Sequence, residues 1–323
     1  MPSTQSRLLY FAMKNRHLMK FQLKAPVWDE NTSIPAFRAQ CEEGASRSRM
    51  PEGVEAVPVE IPGLPTGLSA EWLTPANALP DRAIFYTHGG GYISGSCSDH
   101  RALVAKIARG TGIRTLLYEY RLAPENPFPA AMEDTICAYR WLLSQVSTAQ
   151  NIAIAGESAG GGLCLAALLA IRDLGLPLPA AAAAMSPWTD LTLTGESYRT
   201  RLKQCVSPQG MSEVCSKAYA GGNNLENPWI SPLFGDLHGL PPTLIHVGDY
   251  ETMRDDATRF AKKAREASVD VKLRVGEGMI HCYPLLAPLF PEATEALDEI
   301  CTFIKGHTGS EKHDCATEAA PVR

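Results

Sequence analysis

From residue 82 onward the chain switches repeatedly between short apolar runs and longer helically spaced stretches. "RAIFYTH" precedes "DHRALVAKIARGTG", "RTLLYEY" precedes "AAMEDTICAYRWLLSQ", and "NIAIAGE" precedes "AGGGLCLAALLAIRDLG". "AAAAAMSP" follows, then "PTLIHVG" before "DDATRFAKKAREA", and "VDVKLRVG" before a last helix that ends near "CTFIKG". Strands apolar on both faces that alternate with helices can bury themselves only as a parallel sheet covered on both sides. The expected fold class is therefore α/β. Upstream, "VEAVPVEI" alternates with period two and "LSAEWLTP" follows it, so the pair adds two strands, placed as an antiparallel edge. With 323 residues, 45% of them hydrophobic, the chain can bury one large α/β domain with an attached cap, or two ordinary domains.

Two regions break the rhythm. Residues 5–23 and 34–43 have helical spacing, interrupted by "KAPVWDENTS", and residues 190–228 contain helical pieces but no clear strand. An insertion there would cover the carboxyl end of the sheet as part of a lid, together with the N-terminal helices. This divides the chain into cap helices at 1–50, a catalytic domain at 51–306 and a polar tail at 307–323, read as disordered. The first fifty residues carry eight Lys and Arg against four acids, which reads as a solvated helix face rather than a membrane-binding one. A net charge of −5 supplies no basic face for nucleic acid. The longest apolar stretch, "LGLPLPAAAAAMSPW", is too short and proline-rich to span a bilayer, and the N-terminus lacks the apolar core of a secretory signal. Nine cysteines, an odd number without any C-x-x-C pair, suit a reducing compartment better than a disulfide framework or a zinc site. A cytoplasmic protein is expected.

The chemistry sits in the turns. "GESAG", Gly156 to Gly160, places Ser158 between a strand and a helix, where a sharp turn exposes its hydroxyl above the sheet. The pattern alone is weak and fits an ordinary glycine-rich turn equally well. "THGGGYISG" follows a strand about seventy residues earlier, and its glycines let backbone N–H groups converge as an oxyanion requires. Among eight histidines, His281 in "EGMIHCYPLL" lies in a loop just after the last strand and is the candidate base, whereas His246 sits inside a strand as a core residue and His100 in a polar stretch. Where a serine stands on such a strand-to-helix turn, its acid partner falls between serine and histidine in the chain, and "HVGDYETMRDDA" offers Asp249, Glu251, Asp255 and Asp256.

At this point the sequence resembles the hormone-sensitive-lipase-like carboxylesterases of the α/β-hydrolase superfamily, the bacterial family IV. The resemblance runs from about residue 80 to 303. It rests on "HGGGY", "EYRLAPENPFPAAMED", "GESAGGGL", "SPWTDLT", "SPLFGDLHGLPPTLIHVGDYETMRDDA" and "GMIHCY". "YRLAPE" is highly specific to that group and is taken as packing, not chemistry. The resemblance implies the α/β-hydrolase fold, a mostly parallel eight-stranded sheet with helices on both faces and a helical cap. It implies Ser158 as nucleophile, His281 as base, and an oxyanion hole from the backbone N–H groups of Gly89, Gly90, Gly91 and Ala159. Many relatives carry aspartate where this chain has Glu251, three residues before Arg254; Asp255 and Asp249 are the alternatives. The expected function is hydrolysis of short-to-medium acyl esters through an acyl-enzyme, without metal or cofactor, by an enzyme that forms a homodimer as the family often does. The same machinery would serve an amide, carbamate or lactone, and a ligand-binding protein without turnover is a third reading. Tyr92, Trp188, Met279, Ile280 and Tyr283, beside the motifs, are candidates for an apolar substrate pocket or for core packing.

Overall fold

A computed structural model of the chain describes residues 1–19, 26–45 and 48–309. Eight strands form a single sheet: β1 (Val54–Pro58), β2 (Ala70–Pro75), β3 (Ala83–Thr87), β4 (Arg114–Tyr118), β5 (Ile152–Glu157), β6 (Ala181–Met185), β7 (Thr243–Gly248) and β8 (Val271–Gly276). Their order across the sheet is β1-β2-β4-β3-β5-β6-β7-β8. β2 is antiparallel to both β1 and β4, and every other pair is parallel, so the antiparallel element is confined to one edge.

The helices are α1 (Thr4–Lys14), α2 (Arg16–Met19), α3 (Ile34–Ala45), α4 (Cys97–Thr111), α5 (Ala130–Leu143), α6 (Ser158–Asp173), α7 (Ser197–Thr200), α8 (Met211–Ala220), α9 (Arg254–Glu266) and α10 (Pro291–His307). Alternation along the central strands sends side chains to two cores. Phe85, Ile152, Ile154 and Ala182 face α5, α6 and α9, whereas Ile84, Tyr86, Ala153 and Ala183 face α4 and α10. Both faces are dry, and this explains why the strands read as unbroken apolar runs rather than alternating ones.

The irregular regions meet. The Lys14 ammonium donates to the Cys205 carbonyl at 2.7 Å and Arg16 to the Val206 carbonyl at 2.8 Å. Val27 pairs with Gln209 in an isolated parallel bridge, and the Trp28 N–H donates to the Gln209 carbonyl at 2.8 Å. Arg38 of α3 reaches back to the Ile93 and Ala123 carbonyls at 2.6 and 2.9 Å. The N-terminal helices thus hold the 190–228 insertion, whose only helices are α7 and α8. The expected tail begins too early: His307 closes α10 and Thr308 is buried, because its hydroxyl donates to the Ile304 carbonyl at 2.9 Å. Residues 310–323 of that tail, and residues 20–23 of the first helical stretch, lie outside the described residues. The eight described cysteines are all unpaired, and among the described residues no helix is long and apolar enough to cross a membrane.

Candidate active site

The carboxyl ends of β3, β5, β6, β7 and β8 share one edge of the sheet, the edge where open α/β sheets bind ligands. At the end of β5 the chain turns directly into α6, and Ser158 at the corner has φ +56°. A side chain in this left-handed region is strained, and surrounding structure has to hold it there. Gly160 makes the turn possible: a Cβ on it would lie 2.2 Å from the carbonyl oxygens of both Thr87 and His88.

His281 lies in the loop after β8. Its Nε2 is 2.9 Å from the Ser158 Oγ and its Nδ1 is 2.6 Å from Glu251 Oε2. Glu251 is fully buried, and its other oxygen accepts from the Ser186 hydroxyl at 2.8 Å and from the Gly248 N–H. Ser186, at the end of β6, also accepts from the Cys282 N–H at 2.9 Å, so one hydroxyl ties the acid to the histidine loop. Burial opposes a charged His281, but Cys282 and Glu251 together outweigh it and hold the imidazole well above its usual 6.5. The Cys282 thiol is itself pushed up by burial, so the Glu251 carboxylate is the charge that matters.

The other acids of that segment are engaged elsewhere. Asp249 pairs with Arg201 at 2.9 Å and Asp255 accepts from the Ser197 N–H at 2.9 Å. Asp256 accepts from the Thr189 and Asp190 N–H groups at 3.0 and 2.9 Å. Glu251 is the one that reaches His281. His246 is buried in β7, its Nδ1 3.0 Å from the Tyr283 hydroxyl.

A cavity of about 280 Å³ opens above Ser158 and His281. Its apolar wall includes Leu103, Trp188, Met211, Cys215, Met253 and Leu285. Met211 and Cys215 come from α8, which puts the insertion over the serine. Gly89, Gly90 and Gly91 border the same space, and Ala159 belongs to the first turn of α6, where backbone N–H groups lack intrahelical acceptors. The Gly89 N–H is not available, because it donates to Glu157 Oε1 at 2.7 Å. An oxyanion would have Gly90, Gly91 and Ala159 to bind to, not Gly89.

Of the five residues considered for the pocket, only Trp188 borders it. Tyr92 turns inward and stacks on Tyr219 with ring centroids 3.7 Å apart. Met279, Ile280 and Tyr283 are buried in the core on the α4/α10 side. His100, read only as part of a polar stretch, is half-buried between two carboxylates, with Nε2 3.0 Å from Glu157 and Nδ1 against Asp99. Both that pair and Ser186 escaped sequence reasoning. The signal available for Ser186 was its place at the carboxyl end of a parallel strand.

Residues 84–285 match a family model described as alpha/beta hydrolase fold. An acetyl-hydrolase of Streptomyces hygroscopicus is 40% identical over 242 residues, 75% of this chain and 81% of that protein. An esterase of Acinetobacter venetianus is 37% identical over 71% of this chain and 76% of its own. Among solved structures, an esterase from the bacterial hormone-sensitive lipase family superposes with a TM-score of 0.86 at 37% identity, covering 96% of this chain and 100% of that one. The esterase EstE5, soaked with p-nitrophenyl butyrate, gives 0.86 at 36% identity over 95% and 99% of the two chains.

Proposed function

The chain belongs to the α/β-hydrolase family and is a carboxylic ester hydrolase of its hormone-sensitive-lipase-like group, and from this premise we propose that Ser158, His281 and Glu251 cleave short-to-medium acyl esters through an acyl-enzyme. The reading rests on one observation: an unbroken hydrogen-bonded line from Glu251 through His281 to Ser158, at 2.6 and 2.9 Å, at the floor of a small cavity. His281 takes the hydroxyl proton as Ser158 attacks the ester carbonyl. Glu251 holds the ring with hydrogen on Nδ1 and stabilises the cation that results. The tetrahedral oxyanion lies against the N–H groups of Gly90, Gly91 and Ala159, and loss of one such donor costs about 10²–10³ in rate. His281 then gives its proton to the leaving alcohol, and water repeats the sequence to free the acid.

A cavity of about 280 Å³ is at the low end for a ligand pocket, which suits a short acyl group. The names of two similar proteins, an acetyl-hydrolase and an esterase soaked with a butyrate ester, point the same way. The test is hydrolysis of p-nitrophenyl esters from acetate to palmitate, with Ser158→Ala alongside. Acetate and butyrate should be cleaved best, and Ser158→Ala should lose at least about 10⁴-fold in kcat. A folded Ser158→Ala with wild-type rates would remove the serine from this role.

A further inference from the structure

Glu157 and His100 border the cavity but take no part in the chemistry above. Glu157 Oε1 accepts a hydrogen bond from the Gly89 N–H at 2.7 Å and forms an ion pair with His100, whose Nε2 is 3.0 Å away. The other ring nitrogen of His100 faces Asp99, which is itself fixed by the Ser96 N–H at 2.8 Å at the start of α4. With a carboxylate at each nitrogen, both must carry hydrogen, so the ring is a cation. All three side chains are largely shielded from solvent, at 13% exposure for His100 and 6% or less for the two acids.

We propose that Glu157, steadied by the His100–Asp99 pair, is the positioning residue of the oxyanion loop. This rests on Ser158 being the nucleophile. Glu157 immediately precedes Ser158, so a single strand end carries both the attacking hydroxyl and the hook that holds the loop opposite it. Gly89 packs so closely that a Cβ there would come within 3.0 Å of the Glu157 side chain and carbonyl. Once its N–H is fixed, the next two residues turn with φ +113° and +65°, and their N–H groups have no acceptor among the described residues. A second strap acts on the same loop: His88 Nδ1 lies 2.8 Å from the Gly89 carbonyl, and the His88 ring stacks on Tyr120 at 4.2 Å.

The cation has a purpose of its own. A bare carboxylate so near the hole would repel the oxyanion, and in a water-poor site that repulsion is poorly screened. His100 cancels it. Neither partner is useful alone. Without His100 the hook opposes the charge it serves, and without Glu157 the loop is unhooked and His100 keeps only Asp99.

The experiment compares Glu157→Leu, Glu157→Gln and His100→Gln with wild type and Ser158→Ala on p-nitrophenyl acetate. Each variant's thermal melt is measured, and so is its affinity for a trifluoromethyl ketone that forms a tetrahedral adduct on the serine. Glu157→Leu should lose about 10²–10³-fold in kcat with KM within threefold, and should bind the ketone more weakly by the same factor. Glu157→Gln, whose amide oxygen still accepts the Gly89 N–H, should stay within tenfold of wild type. His100→Gln should fall between the two. A purely structural pair would lower the melting temperature without this kcat-only pattern. Wild-type kcat in folded Glu157→Leu, a loss expressed in KM, or Glu157→Gln as damaging as Leu would overturn the proposal. If Glu157→Leu does not fold, His100→Gln decides, and kcat within threefold of wild type overturns it. Activity surviving in Ser158→Ala would overturn the nucleophile first and this proposal with it, whereas its loss beside an intact Glu157→Leu overturns this one alone.

Discussion

Glu251→Gln changes one oxygen for an NH2 group, and the structure dictates which way the amide must face. Glu251 Oε1 accepts from two buried donors, the Ser186 hydroxyl and the Gly248 N–H, and Oε2 accepts from His281 Nδ1. The amide oxygen is needed on the Gly248 side, since a backbone N–H cannot turn away. The NH2 group then faces Nδ1 and donates to it, so the ring hydrogen moves to Nε2. In that tautomer the ring can no longer accept the Ser158 proton. Flipping the amide restores the tautomer but leaves the Gly248 N–H without an acceptor in a buried site, at about 1–3 kcal/mol. That alone corresponds to about 5–150-fold in rate. The flipped form also lacks the negative charge that stabilises the imidazolium, while the unflipped form keeps the wrong tautomer, and an analogous triad with its geometry intact and that tautomer loses about 10⁴ in kcat. The expected loss in kcat on p-nitrophenyl acetate is therefore about 10³–10⁴-fold, with a melting temperature close to wild type. A folded Glu251→Gln within tenfold of wild type would refute the tautomer argument.

Further predictions follow from the same contacts. Glu251 lifts the His281 pKa above 6.5, and the base must be neutral, so kcat/KM should fall on the acid side below a pH higher than 6.5. The pH profile should shift down in Glu251→Gln. His100 is raised to about 10, chiefly by Asp99 and Glu157 working against burial. Its stabilising effect is complete below its unfolded pKa of about 6.5 and is lost as pH climbs through about 10. Wild type should therefore lose melting temperature between pH 7 and 10 more steeply than His100→Gln. Leu103→Ala enlarges the cavity and should raise the hexanoate-to-acetate rate ratio severalfold, read by the ester panel. Gly160→Ala puts a methyl against two backbone carbonyls and should destabilise by about 3 kcal/mol or more, read by denaturant unfolding.

The alternation of strand and helix runs located the strands from β3 onward, most clearly the central ones, where burial on both faces leaves no polar positions to blur the pattern, and the period-two pair before them marked the edge that turns antiparallel. Ser158 and His281 were legible because each sits in a turn with its own local signature. Ser186 and Glu157 were not. Ser186 meets Glu251 across 65 residues, and Glu157 meets Gly89 across 68, so no local pattern records either contact. Glu157 also fills the unspecified position of G-x-S-x-G. Tyr92, Met279, Ile280 and Tyr283, left open between pocket and core, were undecidable from sequence for a related reason. Proximity to a catalytic residue in the chain does not tell which way a side chain points, and in tight turns neighbours diverge. Tyr92, with φ +61°, turns away from the cavity into the core.

The stitch between the N-terminal segment and the insertion has a consequence during synthesis. Val27 and Trp28 find their partner only at Gln209, about 180 residues later. At about 5–20 residues per second, a ribosome takes on the order of ten to forty seconds to supply it. Throughout that interval α1 and α2 lack their partners at Cys205 and Val206, with Leu8 and Phe11 exposed even in the finished molecule, whereas α3 can already reach Ile93 and Ala123. The sheet is in a different position, since β2, β3 and β4 can pair as soon as residue 118 has emerged. The segment that is made first is thus fastened only after the first four strands and the insertion have been made.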